Sequence, residues 1–396
     1  MNEKNMEGTT VMSKRGKQIK IPAIYMRGGT SKGVFFLKED LPTDPSERDK
    51  VLLRVIGSPD PYGQQIDGMG GATSSTSKVV IVSKSNRPGC DVDYLFGQVA
   101  IGQPLVDWSG NCGNLTSAVG PFSIYRGLVD APLDGMAAVN IWQENIGKKI
   151  ITHVPMKDGE VQELGDFVLD GVTFPAAEIK LEFLDPGADG GTMFPTGNPI
   201  DIIHVPSVGE VEATFINAGN PAIFVSASSM GLTGAELQGD INGDVDLLTR
   251  FEAIRAHGAV MMDLAESVEY AMTKRQHTPK IAFFGKAASY ITSDGKEIRG
   301  EDIDILARIL SMGKLHHAMT GTGAVAIAAA AAIPGTIVSR ILGDARSELR
   351  FGHPSGTLKV GAEAAHDQAG FAVKKVVMSR SARRLMEGSV LIPNQE

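Results

Sequence analysis

The chain is sparing with sulfur: Cys90 and Cys112 are the two cysteines in 396 residues. Two thiols cannot supply the four thiolates of a common iron–sulfur cluster, and they build no disulfide framework, which fits a reducing cytoplasm. Basic charge is short as well. Lys and Arg number 38 against 46 Asp and Glu, a net charge of −8, whereas a general nucleic-acid binder carries a basic surplus. One cationic pocket is still allowed, because net charge says nothing about a single cleft. The late apolar run Ala324 to Ile333 ends at Pro334-Gly335, short of the ~20 residues a membrane span needs. The opening MNEKNMEGTTVMSKRGKQIK has no apolar signal core, and its first dozen or so residues read as a loose tail. His316-His317 and His353 match no metal-ligand spacing and read as satisfied core or surface histidines, so no metal site is expected.

What is present describes a globular protein: 42% hydrophobic and 21% charged residues, in a length that favours two domains over one core. Glycine is in excess at 46 residues, above the usual ~7%, which predicts many tight turns and close backbone approaches. Short strands with turn punctuation are expected at Ile21 to Met26, Val34 to Leu37, Lys78 to Val82, Ala137 to Trp142, Lys149 to Val154 and Ile179 to Phe183. Further strands fit Val211 to Ile216 and Ala222 to Ser226. Helical periodicity appears over Val245 to Ala265 and Glu301 to Met312, and continues from Met312 to Met319. Arg380, Arg383 and Arg384 would spread over one helical turn on a solvated or interface face.

The run from Ala324 to Ala332 has no polar face, so a helix there must be buried all round. Leu115 to Val119 has a similar small-residue character before Gly120-Pro121 interrupts it. Each half could therefore wrap a sheet around one central helix. Both candidate helices follow glycine-containing turns, GNCGNL at Gly110 to Leu115 and TGTG at Thr320 to Gly323. The unpaired N–H groups and dipole of a helix start favour an anion. Cys112 is then either a thiol at a helix mouth, where thiols are most reactive, or a core cysteine in a glycine turn. Gly321, Gly323 and Ala326 imitate a dinucleotide fingerprint, but no strand precedes them, and Lys32 in GGTSKG lacks P-loop spacing. Lys78 follows a long polar glycine stretch and opens an apolar strand. Such a lysine is ordinarily a solvated edge residue; projected into a cleft and desolvated, it becomes a base.

Six segments in order carry a family resemblance: MRGGTSKGVFF at Met26 to Phe36, GGATSSTSK at Gly70 to Lys78, GNCGNLTSAVGPF at Gly110 to Phe122, NAGNP at Asn217 to Pro221, TGTGAVA at Thr320 to Ala326, and SRSARRLMEG at Ser379 to Gly388. The chain resembles the PrpF family of 2-methylaconitate cis–trans isomerases, within the diaminopimelate-epimerase-like superfamily. The resemblance implies an α+β fold of two similar domains, residues 1–178 with 377–396 and residues 179–376, and a site in the cleft between them. Diaminopimelate epimerases carry a catalytic cysteine at the position of Cys112 and a second one where this chain has Thr320. A two-thiol mechanism therefore cannot operate here. By the same resemblance Lys78 is the leading proton carrier, with Cys112 second, and no cofactor is needed. Gly113, Asn114, Gly321, Thr322 and Gly323 supply anion donors, while Ser31 and Asn220 match asparagines that hold substrate in the epimerases. The implied substrate is a small tricarboxylate of propionate breakdown. A methylitaconate isomerase, or a non-catalytic accessory to an aconitase-like methylcitrate dehydratase, is the alternative; a homodimer is expected.

Overall fold

The computed structural model describes residues 18–187, 193–367 and 370–393; the expected N-terminal tail lies outside them. Among the described residues nineteen strands join in one mixed sheet. In the first half, Ser31–Leu37 lies parallel to Lys78–Lys84, which pairs antiparallel with Val92–Val99. The second half repeats the arrangement: Asn220–Ser226 is parallel to Lys280–Lys286, which pairs antiparallel with Ile305–Ser311. The strand Gly370–Arg380 joins the two, pairing with Ile179–Leu184 on one edge and Gly356–Asp367 on the other. The last strand, Ala382–Pro393, returns to Gln18–Gly28.

Each half curls around one buried helix, so the fold is the α+β architecture expected. Gly113–Tyr125 packs on Gln18–Gly28, Ser31–Leu37 and Lys148–Lys157; Gly321–Ala331 packs on Gly209–Ala218, Asn220–Ser226 and Gly356–Asp367. Every residue of the second helix is buried, as its lack of a polar face requires. The first helix runs further than the sequence suggested, straight through Gly120-Pro121. An interior proline costs a helix ~3 kcal/mol. Burying Leu115, Val119 and Phe122 completely contributes about 1.5–3 kcal/mol each, so packing wins.

Three other expectations fail. Glu301 to Met312 is not helical: a short turn at Gly300–Asp302 leads into the strand Ile305–Ser311, buried at every position. A strand covered on both faces has no polar alternation to betray it, and its isoleucines and leucines imitated a helix period. The helical pattern to Met319 also breaks. Met312 and Gly313 turn with φ of 53° and 72°, and the strand Lys314–Leu315 follows. Arg380, Arg383 and Arg384 lie on the strands Gly370–Arg380 and Ala382–Pro393, with Arg380 buried rather than solvated. No helix among the described residues is long and apolar enough to cross a membrane.

Candidate active site

The two buried helices meet mouth to mouth. A Cβ on Gly113 would lie 2.7 Å from the Gly321 carbonyl carbon, and one on Gly321 would lie 2.3 Å from that of Gly113. Only glycine allows this approach. Cys112 and Thr320 are the matching N-caps: Leu115 N–H donates to the Cys112 sulfur at 3.5 Å, and Gly323 N–H donates to Thr320 Oγ1 at 3.1 Å. The first two amides of each helix, at Gly113, Asn114, Gly321 and Thr322, have no acceptor within their helices. All four residues line one small pocket of about 10 Å3 with Ser31, Lys78, Asn111, Cys112, Lys280 and His316.

Lys78 is 5% exposed, not a solvated edge residue. Its Nζ donates to Gln98 Oε1 at 2.6 Å and stands 4.9 Å from the centre of the Phe96 ring. Burial lowers its pKa, while the neighbouring Cys112 acts in the opposite direction. Cys112 satisfies both readings of its sequence, because it belongs to the apolar core and also lines the pocket. The pocket adjoins a cleft of about 1060 Å3 that shares Ser31, Ser311 and His316 with it. Arg27, Lys32, Lys314 and Arg383 line that cleft against one acidic residue, Glu163, so a chain of net charge −8 presents a cationic approach.

Seven of the nine site residues expected from sequence therefore converge. Asn220 and Gly323 are not among the pocket's lining residues. Asn220 is a clasp between the halves: its Oδ1 accepts from Asn111 N–H at 2.8 Å, and its Nδ2 donates to the Asn111 carbonyl at 2.8 Å and Thr322 Oγ1 at 3.2 Å. The Gly323 amide is already used by Thr320. Asn114 lines the pocket, yet its side chain is fully engaged. Its Nδ2 donates to Thr30 Oγ1 and the Met319 carbonyl, and its Oδ1 accepts from Arg380 Nε at 3.0 Å. What is left is its backbone amide, which has no acceptor within the helix.

Residues 18–393 match the family described as PrpF protein. The chain belongs to the PrpF family. It is 63% identical to a 2-methyl-aconitate isomerase of Cupriavidus necator, over 95% of this chain and 98% of that one. A 3-methylitaconate isomerase of Eubacterium barkeri is 41% identical over the same shares. A crystal structure of methylitaconate-delta-isomerase superposes with a TM-score of 0.74 at 39% identity, covering 96% of this chain and 97% of that one. A probable proline racemase from Agrobacterium radiobacter, at 13% identity and a TM-score of 0.53 over 95% and 93% of the two chains, shares the fold.

Motif reading of this PrpF chain missed Asn111, Lys280, His277, Ser311 and His316, all of which line the pocket. Asn111 is fully buried, and its Nδ2 has no hydrogen-bond partner among the described residues: a donor left for a ligand. His316 pairs with Ser75 Oγ at 3.0 Å across the halves, and burial holds its pKa well below the usual histidine value. For Lys280 the sequence did carry a signal. KIAFFGK at 280–286 repeats the pattern of KVVIVSK at 78–84, a lysine opening a short apolar strand in each half.

Proposed function

We propose that the protein isomerises 2-methyl-trans-aconitate to 2-methyl-cis-aconitate in the cytoplasm, by removing and returning a proton, with Lys78 as the base. The choice of substrate follows the relatives named 2-methyl-aconitate isomerase, at 63% and 61% identity over 95% of this chain. The observation that carries the chemistry is the buried Lys78 amine in a pocket with two facing helix starts. A carbon–carbon double bond does not rotate at useful rates. Loss of a proton from the adjacent carbon spreads the electron pair into the double bond and a carboxylate, lowers the bond order and permits rotation. Desolvation favours the neutral amine of Lys78, the form able to take that proton. The free amides of Gly113, Asn114, Gly321 and Thr322, with Asn111 Nδ2, supply fixed donors for the developing charge. Each donor of this kind is worth ~3–4 kcal/mol when removed. Ser31 lines both the pocket and the cleft and is assigned to substrate binding. The product is chemically suited to an aconitase-like hydratase.

Lys78→Ala is expected to lower turnover by about 10²–10⁴-fold and to abolish exchange of substrate hydrogen with deuterated water. Cys112→Ser retains part of both activities. Full turnover and exchange in Lys78→Ala would remove Lys78 from the mechanism. Turnover by the purified chain alone, without a dehydratase, decides between an enzyme and an accessory protein. Trials with methylitaconate test the second substrate, which the 41% identical 3-methylitaconate isomerase favours.

A further inference from the structure

A second amine reaches the same pocket. Lys280 opens its strand as Lys78 opens the corresponding one, and each bonds to the neighbouring antiparallel strand, Lys78 to Gln98 and Lys280 to Ser311. Their hydrogen bonding differs. Lys280 Nζ lies 3.2 Å from Ser311 Oγ, 3.2 Å from the His277 carbonyl and 3.4 Å from His277 Nδ1. His277 Nε2 faces the Asn111 carbonyl at 3.4 Å. That contact places the ring proton on Nε2 and leaves Nδ1 as an acceptor. Three acceptors thus surround Lys280, matching the three N–H bonds of an ammonium. Lys78 has one such oxygen acceptor, Gln98 Oε1, so an ammonium there is less fully hydrogen-bonded than one at Lys280, and burial lowers its pKa against the opposing effect of Cys112.

We propose that Lys280 is the proton donor that completes the reaction begun by Lys78, delivering a proton to the delocalised anion after rotation. The inference rests on the proton-transfer reading of this pocket. In the first step the substrate C–H bond breaks, its electron pair enters the conjugated system, and Lys78 becomes an ammonium. In the second step that pair forms a new C–H bond, an N–H bond of Lys280 breaks, and Lys280 is left neutral. The two amines share one extra proton before and after, and its passage through solvent from Lys78 to Lys280 resets the site.

The charged and titratable groups around Lys280 are Lys78, Cys112 at the helix mouth, Asp107, Arg255, His277 and His316. Burial, and then an ammonium at Lys78, bring Lys280 down to about 7, while Cys112 and Asp107 oppose the shift and Arg255 adds to it. With Lys78 neutral its contribution is absent and Lys280 holds its proton to higher pH. His277 and His316 are held neutral, chiefly by burial. Two ammonium groups in one dry pocket repel, which is why the pair keeps a single proton.

The active form carries one proton on the pair, with Lys78 neutral. Thus kcat/KM of the unaltered enzyme is expected to rise as pH rises through about 7, where the doubly charged pair loses a proton. It is expected to fall at higher pH as the last proton leaves Lys280, approaching about tenfold per pH unit. Lys280→Gln keeps a donor towards Ser311 and the His277 carbonyl. It is expected to lose about 10² in kcat, to change KM by no more than about threefold, and to lack that alkaline limb. Three results would each overturn the proposal: a flat profile of the unaltered enzyme over roughly pH 6–9, Lys280→Gln with kcat within about threefold of it, or a defect confined to KM. Lys78→Ala, assayed in parallel, separates the two readings. If it turns over normally, the site reading fails; if it is dead beside an active Lys280→Gln, only the donor assignment fails.

Discussion

Arg380 is 1% exposed, and burial draws its pKa down to about 10. It persists inside because its donors are used: Nε bonds Asn114 Oδ1, and Nη1 bonds the Ser379 carbonyl at 3.0 Å. The guanidinium has no acceptor atoms, so it fixes which end of the Asn114 amide is oxygen and turns Nδ2 towards Thr30 and Met319. Asn114 thereby ties the first helix mouth to the second half of the chain. In Arg380→Met the Asn114 oxygen is left without a donor, at a cost of about 1–3 kcal/mol, measurable by denaturant unfolding. Because Asn114 lines the pocket, kcat/KM should also fall by about tenfold, which is about 1.4 kcal/mol of transition-state stabilisation. Unchanged stability and rate would show that Asn114 holds its place without the arginine.

The pair of central helices tolerates no side chain where they meet. Gly321→Ala brings a Cβ to 2.3 Å from the Gly113 carbonyl carbon and 2.4 Å from the Asn114 nitrogen. These are backbone atoms, so no rotamer change relieves the clash and the helix starts must separate. The expected cost is about 1–3 kcal/mol or somewhat more, read from thermal or denaturant unfolding. Since a misplacement of roughly 1 Å can cost 10²-fold in rate, activity should fall by at least that factor. An active, stable Gly321→Ala enzyme would mean the mouths need not touch. The burial that forces this contact also decided local structure elsewhere. It carried the helix Gly113–Tyr125 through Pro121 and made a strand of Ile305–Ser311, whose residue spacing alone favours a helix.

Across the whole molecule, one apolar core runs through both halves, and polar clasps at Asn111–Asn220, Ser75–His316 and Ser109–Thr278 cross between them. The cleft beside the pocket gathers Arg27, Lys32, Lys314 and Arg383 on the surface of an acidic protein. Such a field concentrates a trianion at the entrance and is screened by salt. Raising ionic strength from about 20 to about 300 mM should therefore lower kcat/KM several-fold, and Arg383→Gln should flatten that dependence. A salt-independent kcat/KM would show that the cleft charges do not guide the substrate.

The amino-acid order by itself determined the two buried helices, the glycine-containing turns before them and most strands, because small-residue runs and alternation are local signals. It also pointed to Lys78 and Cys112 through the order of six motifs. Tertiary structure decided what each group is free to do. Asn220, Asn114 and the Gly323 amide are taken up by partners 109 and 205 residues away in the first two cases and by a local cap in the third. Conversely, Asn111, Lys280 and His316 enter the pocket only because two halves of one sheet bring their helices mouth to mouth. Hydrogen bonding and desolvation depend on which neighbours close around an atom, and those neighbours are distant along the chain.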